Sequence, residues 1–141
     1  MSRFEDCLKR GLLKKIEPSL ESSRESMKMA EDWIGEAKKN QEIGSYRSAY
    51  SSAYMCFFHA ARAILYMDGY REKSHYCIGI YLEHLSDMKR IEPKWALLFD
   101  NFRNSRHNEQ YNFSSPPSMS EVRMIIDDAL SFLERVRHFF K

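Results

Sequence analysis

The stretch SYRSAYSSAYMCFFHAARAILYMDG (residues 45–69) decides the fold. Tyr46, Ala49, Tyr50, Ala53, Tyr54, Phe57, Ala60, Ala61, Ile64 and Leu65 recur at helical spacing and nearly encircle the helix they predict. A helix apolar on most of its circumference is buried on most sides. It is therefore either the central helix of a small bundle or one that also supplies a subunit interface. Small residues alternate with rings (Ala49, Ala53, Ala60, Ala61), which permits close helix packing. Ser45 stands at the N-cap position and Gly69 just beyond the end. His59 and Arg62 interrupt the apolar run of residues 53–67, which is also too short to span a bilayer.

Working outward, the same period recurs on both sides. Leu20, Met27, Ala30, Ile34 and Ala37 form one stripe, with Trp33 beside it and Lys38-Lys39 near its end. Before it, Phe4, Leu8, Leu12 and Ile16 repeat at i+4 and suggest a short amphipathic helix or arm over residues 1–17, weakened by Gly11. Pro18 stands where the next helix can start. Residues 69–74 read as a polar turn. A further helix covers about residues 75–90, with Ile78, Tyr81, Leu82 and Leu85 inward, and Pro93 opens another carrying Trp95, Leu98, Phe99 and Phe102. Pro116-Pro117 must break that helix. Ser118-x-x-Glu121 is a capping box for the last helix, which carries Val122, Ile125, Ala129, Phe132, Leu133, Val136 and Phe140 inward.

These segments predict one all-α domain over residues 1–141, an up-down bundle of four to five helices. Composition agrees. Only 5 Gly and 4 Pro punctuate 141 residues, too few for a sandwich or barrel, and 43% hydrophobic residues provide a core. The net charge of +2 excludes a polyanion-coating protein, and the small surplus falls within residues 43–112. Three cysteines without C-x-x-C spacing signal neither a disulfide framework nor a metal site, so a reducing, cytoplasmic setting is expected. No cofactor is expected either. The eight Met fill gaps in the core.

The chemically densest stretch is residues 103–111, RNSRHNEQY. At 100° per residue, Arg103, Arg106, His107, Gln110 and Tyr111 fall within an arc of roughly 140° that flanks the buried face. Two guanidiniums, an imidazole and a phenol on one arc could hold a phosphate, because Arg binds oxygens bidentately and His or Tyr can exchange a proton. The competing reading is structural: both arginines pair with acids on a neighbouring helix and Tyr111 packs. Lys73 and His75 either extend an anion site or belong to a helix cap. His59 reads as a hydrogen-bonded core residue, and Arg62 as the partner of a carboxylate.

The sequence YMCFFHAARAIL (residues 54–65), followed by GYREKSH (69–75) and RHNEQY (106–111), resembles the HEPN domain of prokaryotes. The likeness is to the branch whose second helix reads Y-x-x-F-H-A-A-R-A-L-L, and it runs from about Pro18 to the C-terminus. The resemblance implies a dimerising helical bundle, often encoded beside a minimal nucleotidyltransferase as a toxin–antitoxin pair, that binds RNA or nucleotide. Active members carry R-x(4–6)-H and cut RNA without metal: the arginine steadies phosphate charge and the histidine moves protons. Two copies of the motif meet across the dimer. Carried onto this chain, the motif makes Arg106, His107 and Tyr111 the catalytic candidates. Arg103, Arg106, Gln110, Lys73 and His75 are the candidates for contacting nucleotide or RNA. The pattern departs at two points. Tyr111 stands five residues after Arg106 where a histidine is needed, and His107 follows Arg103 by four, one short. A phenol with a pKa near 10 is a poor base at neutral pH. The alternative is a non-catalytic scaffold whose arginines only bridge subunits.

Overall fold

The computed structural model describes residues 1–111 and 115–141, with the side chains of residues 109–111 outside the description. The element order is α1 (Arg3–Lys9), β1 (Leu13–Lys15), α2 (Leu20–Glu42), α3 (Tyr46–Asp68), β2 (Tyr70–Glu72), α4 (His75–Asp87), α5 (Lys94–Tyr111) and α6 (Met119–Arg137). A single 3₁₀ turn at His138–Phe140 ends the chain. The all-α expectation holds, with one small sheet added.

α3 is the axis of the bundle. It packs along α2, and also against α6, α5, α4 and β2. Fourteen of its 23 residues are buried, including Tyr54, Phe57, Ala60, Ala61, Ile64 and Leu65. The near-continuous apolar circumference is thus covered within one chain. A ring cluster shows how: Phe57 stacks on Phe132 of α6 at 4.2 Å and meets Phe99 and Phe102 of α5. The helix is the central one of the bundle, the first of the two readings its sequence left open. Tyr50, Tyr54, Phe57 and Phe58 are core, while Tyr46 and Tyr66 stay partly exposed.

The α2–α3 hairpin carries polar bonds that periodicity does not reveal. Ser23 donates its hydroxyl to the carbonyl of Ala63 at 2.6 Å, and Ser26 to that of His59 at 3.1 Å. Both serines are buried, and these bonds satisfy them. The capping box at Ser118 and Glu121 forms in both directions, at 3.1 and 3.0 Å.

Four local expectations are corrected. The first helix ends at Lys9, because Gly11 takes φ +72° and turns the chain, so Leu12 and Ile16 are not helical. Pro18 precedes the N-cap of α2, and Ser19 caps it by accepting from the Ser22 amide at 3.0 Å. The fourth helix of the chain stops at Asp87, short of Arg90. Residues 70–72, expected in a turn, form β2 and pair antiparallel with β1, setting Leu13 opposite Glu72, Lys14 opposite Arg71 and Lys15 opposite Tyr70. Gly69 makes the switch from helix to strand at φ +88°. A Cβ there would lie 2.9 Å from the Ile16 carbonyl oxygen and 3.0 Å from Pro18 Cγ.

The cysteine expectation is also corrected. Cys7 and Cys77 form a disulfide that ties α1 to α4. Phe4 reinforces the same contact by stacking on His84 at 3.9 Å and touching Tyr70 and Tyr81. The pairing escaped the sequence reading because the two residues lie 70 positions apart. Cys56 is buried and free, and burial pushes its thiol up to about 12. Among the described residues no helix is long and apolar enough to cross a membrane.

Candidate phosphate-binding site

The polar arc of α5 lies against the first half of α3 and the start of α4. Arg106 is half-buried. Its Nε donates to the Ser51 hydroxyl of α3 at 3.3 Å, and its guanidinium carbon lies 5.2 Å from the centre of the Tyr54 ring. Among the described residues, no carboxylate comes within ion-pair distance of it. Among the described residues, a neutral hydroxyl and a ring face hold this cation.

Tyr54 carries the arrangement inward. Its ring is fully buried, and its hydroxyl shares a hydrogen bond of 2.9 Å with Nδ1 of His75, the first residue of α4. Burial pushes the Tyr54 phenol well above its ordinary range. His75 stacks on Phe58 at 4.3 Å. Burial lowers its pKa, and the charges of Arg106, Arg103 and Arg62 lower it further. Nothing in the sequence marks Tyr54 or Ser51 as parts of the site, since both sit on a helix that reads as core.

Arg103 is placed differently. It bonds Asp100 of its own helix through Nε at 3.3 Å and a terminal nitrogen at 2.8 Å, and lies over the Tyr76 ring at 5.6 Å. Among the described residues, neither arginine pairs with an acid on a neighbouring helix. The structural reading thus holds for Arg103 only in a local form, and fails for Arg106 among the described residues. A cleft beside this pair, between α4 and α5, is lined by Arg3, Tyr76, Glu83 and Asp100. Its charges are mixed, which does not suit an anion.

His107 is exposed on the turn of α5 that holds Arg106. Gln110 and Tyr111 belong to α5, but their side chains lie outside the described residues, as do residues 112–114. The structure brings His75 to the arginines and leaves Lys73 aside. Lys73 is exposed just beyond β2, and its neighbouring charges are Lys14 and Arg71.

Two other expectations can be placed. His59 is 5% exposed; burial above all, with the nearby Arg62 and His75, lowers its pKa to about 4. It is thus a core residue as expected, with its Nδ1 lacking a hydrogen-bond partner among the described residues. Arg62 does meet a carboxylate: its Nε lies 2.6 Å from Glu72 of β2, and its guanidinium lies over the Tyr66 ring.

The HEPN domain family model matches residues 23–139. A UPF0332 protein of Archaeoglobus fulgidus is 29% identical over 116 residues, covering 79% of this chain and 90% of the relative.

Proposed function

The chain belongs to the HEPN domain family, and from that premise we propose that it is a homodimeric RNA-binding protein, one half of a toxin–antitoxin pair with a minimal nucleotidyltransferase. The observation that carries the RNA-binding reading is the placement of Arg106. Its guanidinium is half-buried, held by the Ser51 hydroxyl and the Tyr54 ring, with His75 one hydrogen bond further in. Held among the described residues by neutral groups, the arginine offers its charge and its fork of donors to a phosphate, and ordering it beforehand lowers the entropy lost on binding. His107 is exposed on the same turn of α5 and adds a second polar side chain there. The small surplus of positive charge within residues 43–112 is compatible with an anionic partner.

Binding is assigned ahead of cleavage. A ribonuclease of this family needs a histidine five to seven residues after its arginine, and neither Arg103 nor Arg106 has one there. The scaffold reading keeps one supporting observation, the Arg103–Asp100 pair, which neutralises one arginine inside α5.

The test is to titrate labelled single-stranded RNA with wild type and Arg106→Ala in chelator, following both anisotropy and fragment length. The expected result is micromolar-range binding that the substitution weakens by about tenfold, the loss of one or two charge-assisted hydrogen bonds, without fragments. Equal binding by both proteins, or none by wild type, would favour the scaffold. Fragments that vanish in the mutant would assign a ribonuclease. Light scattering of the wild type tests the dimer, and a monomer at tens of micromolar would refute it.

A further inference from the structure

The β1–β2 ribbon carries a charge arrangement that its own folding does not favour. The register sets Lys14 directly opposite Arg71, and both are exposed. Like charges facing each other across a ladder are destabilising. Lys73 follows β2, with its amide bonded to the Leu12 carbonyl at 2.8 Å. Its ammonium stands against Lys14, and Lys14 and Arg71 together pull its pKa below the ordinary lysine value. Among the described residues, no carboxylate pairs with any of the three.

Other exposed cations of the chain are treated differently. Arg3 is paired with Glu83, Arg10 with Asp6, Arg90 with Asp68 and Arg135 with Glu92. The single acid of the ribbon, Glu72, is turned inward and taken by Arg62. That pair fixes the strand so that Arg71 must face outward with Lys14. The ribbon is thus anchored by its acid and presents only cations.

It also leads directly to the site on α5. Lys73 is two residues from His75, and four residues of chain, no more than about 14 Å, separate Arg71 from His75. A single phosphate satisfies one of the two clusters. A strand with several phosphates satisfies both and offsets the repulsion in the ribbon.

We propose that Lys14, Arg71 and Lys73 form a second phosphate subsite, which takes the backbone of a single-stranded RNA whose neighbouring phosphates lie at Arg106 and His75. The subsite rests on the RNA-binding reading above and extends it from one phosphate contact to a track.

The test uses the full chain and a labelled single-stranded RNA of roughly 16 nucleotides, titrated over a range of salt. Wild type is compared with the Lys14→Gln/Arg71→Gln/Lys73→Gln variant and with Arg106→Ala. All three substitutions are at exposed positions, and far-UV circular dichroism with a melting curve verifies that the variant folds. The expected result is about tenfold weaker binding by the triple variant, with the slope of log K against log salt shallower by about 2. Wild-type affinity and slope in the triple variant would overturn the subsite. If Arg106→Ala is weakened in that same experiment, the RNA-binding reading survives its loss. Absence of binding by wild type overturns both. A triple variant that loses a polyaspartate peptide while keeping RNA would assign the ribbon to an acidic protein and also overturn the proposal.

Discussion

Replacing His59 with leucine should remove a specific part of the protein's acid sensitivity. His59 is 5% exposed on α3, its Nδ1 lacks a partner, and its pKa is lowered from an ordinary 6.5 to about 4. Below pH 6.5 the unfolded chain takes up a proton at this residue that the folded chain refuses until about pH 4. Stability is therefore complete above pH 6.5, is lost as pH falls toward 4, and levels off below. The full shift corresponds to about 3 kcal/mol, and about 2 kcal/mol of it is lost between pH 7 and pH 5. His75 acts in the same direction, whereas Glu72 and Asp128, whose pKa values burial raises, act oppositely. All three remain in the variant, so the difference between the two proteins isolates His59. Urea unfolding at half-unit intervals from pH 7 to pH 4.5 reads it directly. The leucine variant should lose about 2 kcal/mol less than wild type by pH 5. It should also be no less stable at pH 7, since an unpartnered buried nitrogen is removed. Parallel curves for the two proteins would refute the reasoning. Retained RNA binding in the variant would separate His59 from the site on α5.

Three further outcomes can be checked by denaturation. Gly69→Ala should cost about 2 kcal/mol or more, because alanine resists positive φ and its Cβ would meet the Ile16 carbonyl; wild-type stability in urea would contradict that geometry. Arg62→Ala should cost about 3 kcal/mol at pH 7 by leaving the Glu72 carboxylate buried without its cation, while Arg62→Ala/Glu72→Leu should recover most of the loss. Cys7→Ser should lower the melting temperature under oxidising conditions by the equivalent of up to about 4 kcal/mol, given the 70-residue separation of the bridge. With reductant the two proteins should converge, and a wild-type chain that titrates three free thiols after oxidation would contradict the bridge.

What could be read from the sequence was local. The stripe of Leu20, Met27, Ala30, Ile34 and Ala37, the box of Ser118 and Glu121, and the near-complete apolar girdle of α3 each act within a few turns of helix. The ribbon was hidden because Leu13–Lys15 and Tyr70–Glu72 are too short to show alternation, and their pairing is non-local. The Cys7–Cys77 bridge was hidden for the same reason. The site was half legible. Arg103, Arg106 and His107 share an arc that helical geometry alone places, but their partners come from other helices. Ser51 and Tyr54 look like core residues of α3, and only packing shows that one is the hydroxyl holding Arg106 and the other the phenol joining Arg106 to His75. Ser23 and Ser26 interrupt an apolar interface in the same undetectable way, until their bonds to α3 carbonyls are seen.

If the arginines around His75 take a phosphate, the His75 ring reports it. The most direct measurement is the titration of the His75 ring by NMR, in free protein and at saturation with single-stranded RNA. In the free protein the ring should titrate below the ordinary histidine range, because burial and the charges of Arg106, Arg103 and Arg62 all disfavour its proton. Bound RNA should move the titration upward as phosphate charge offsets the arginines. A His75 titration unchanged by saturating RNA would contradict the account.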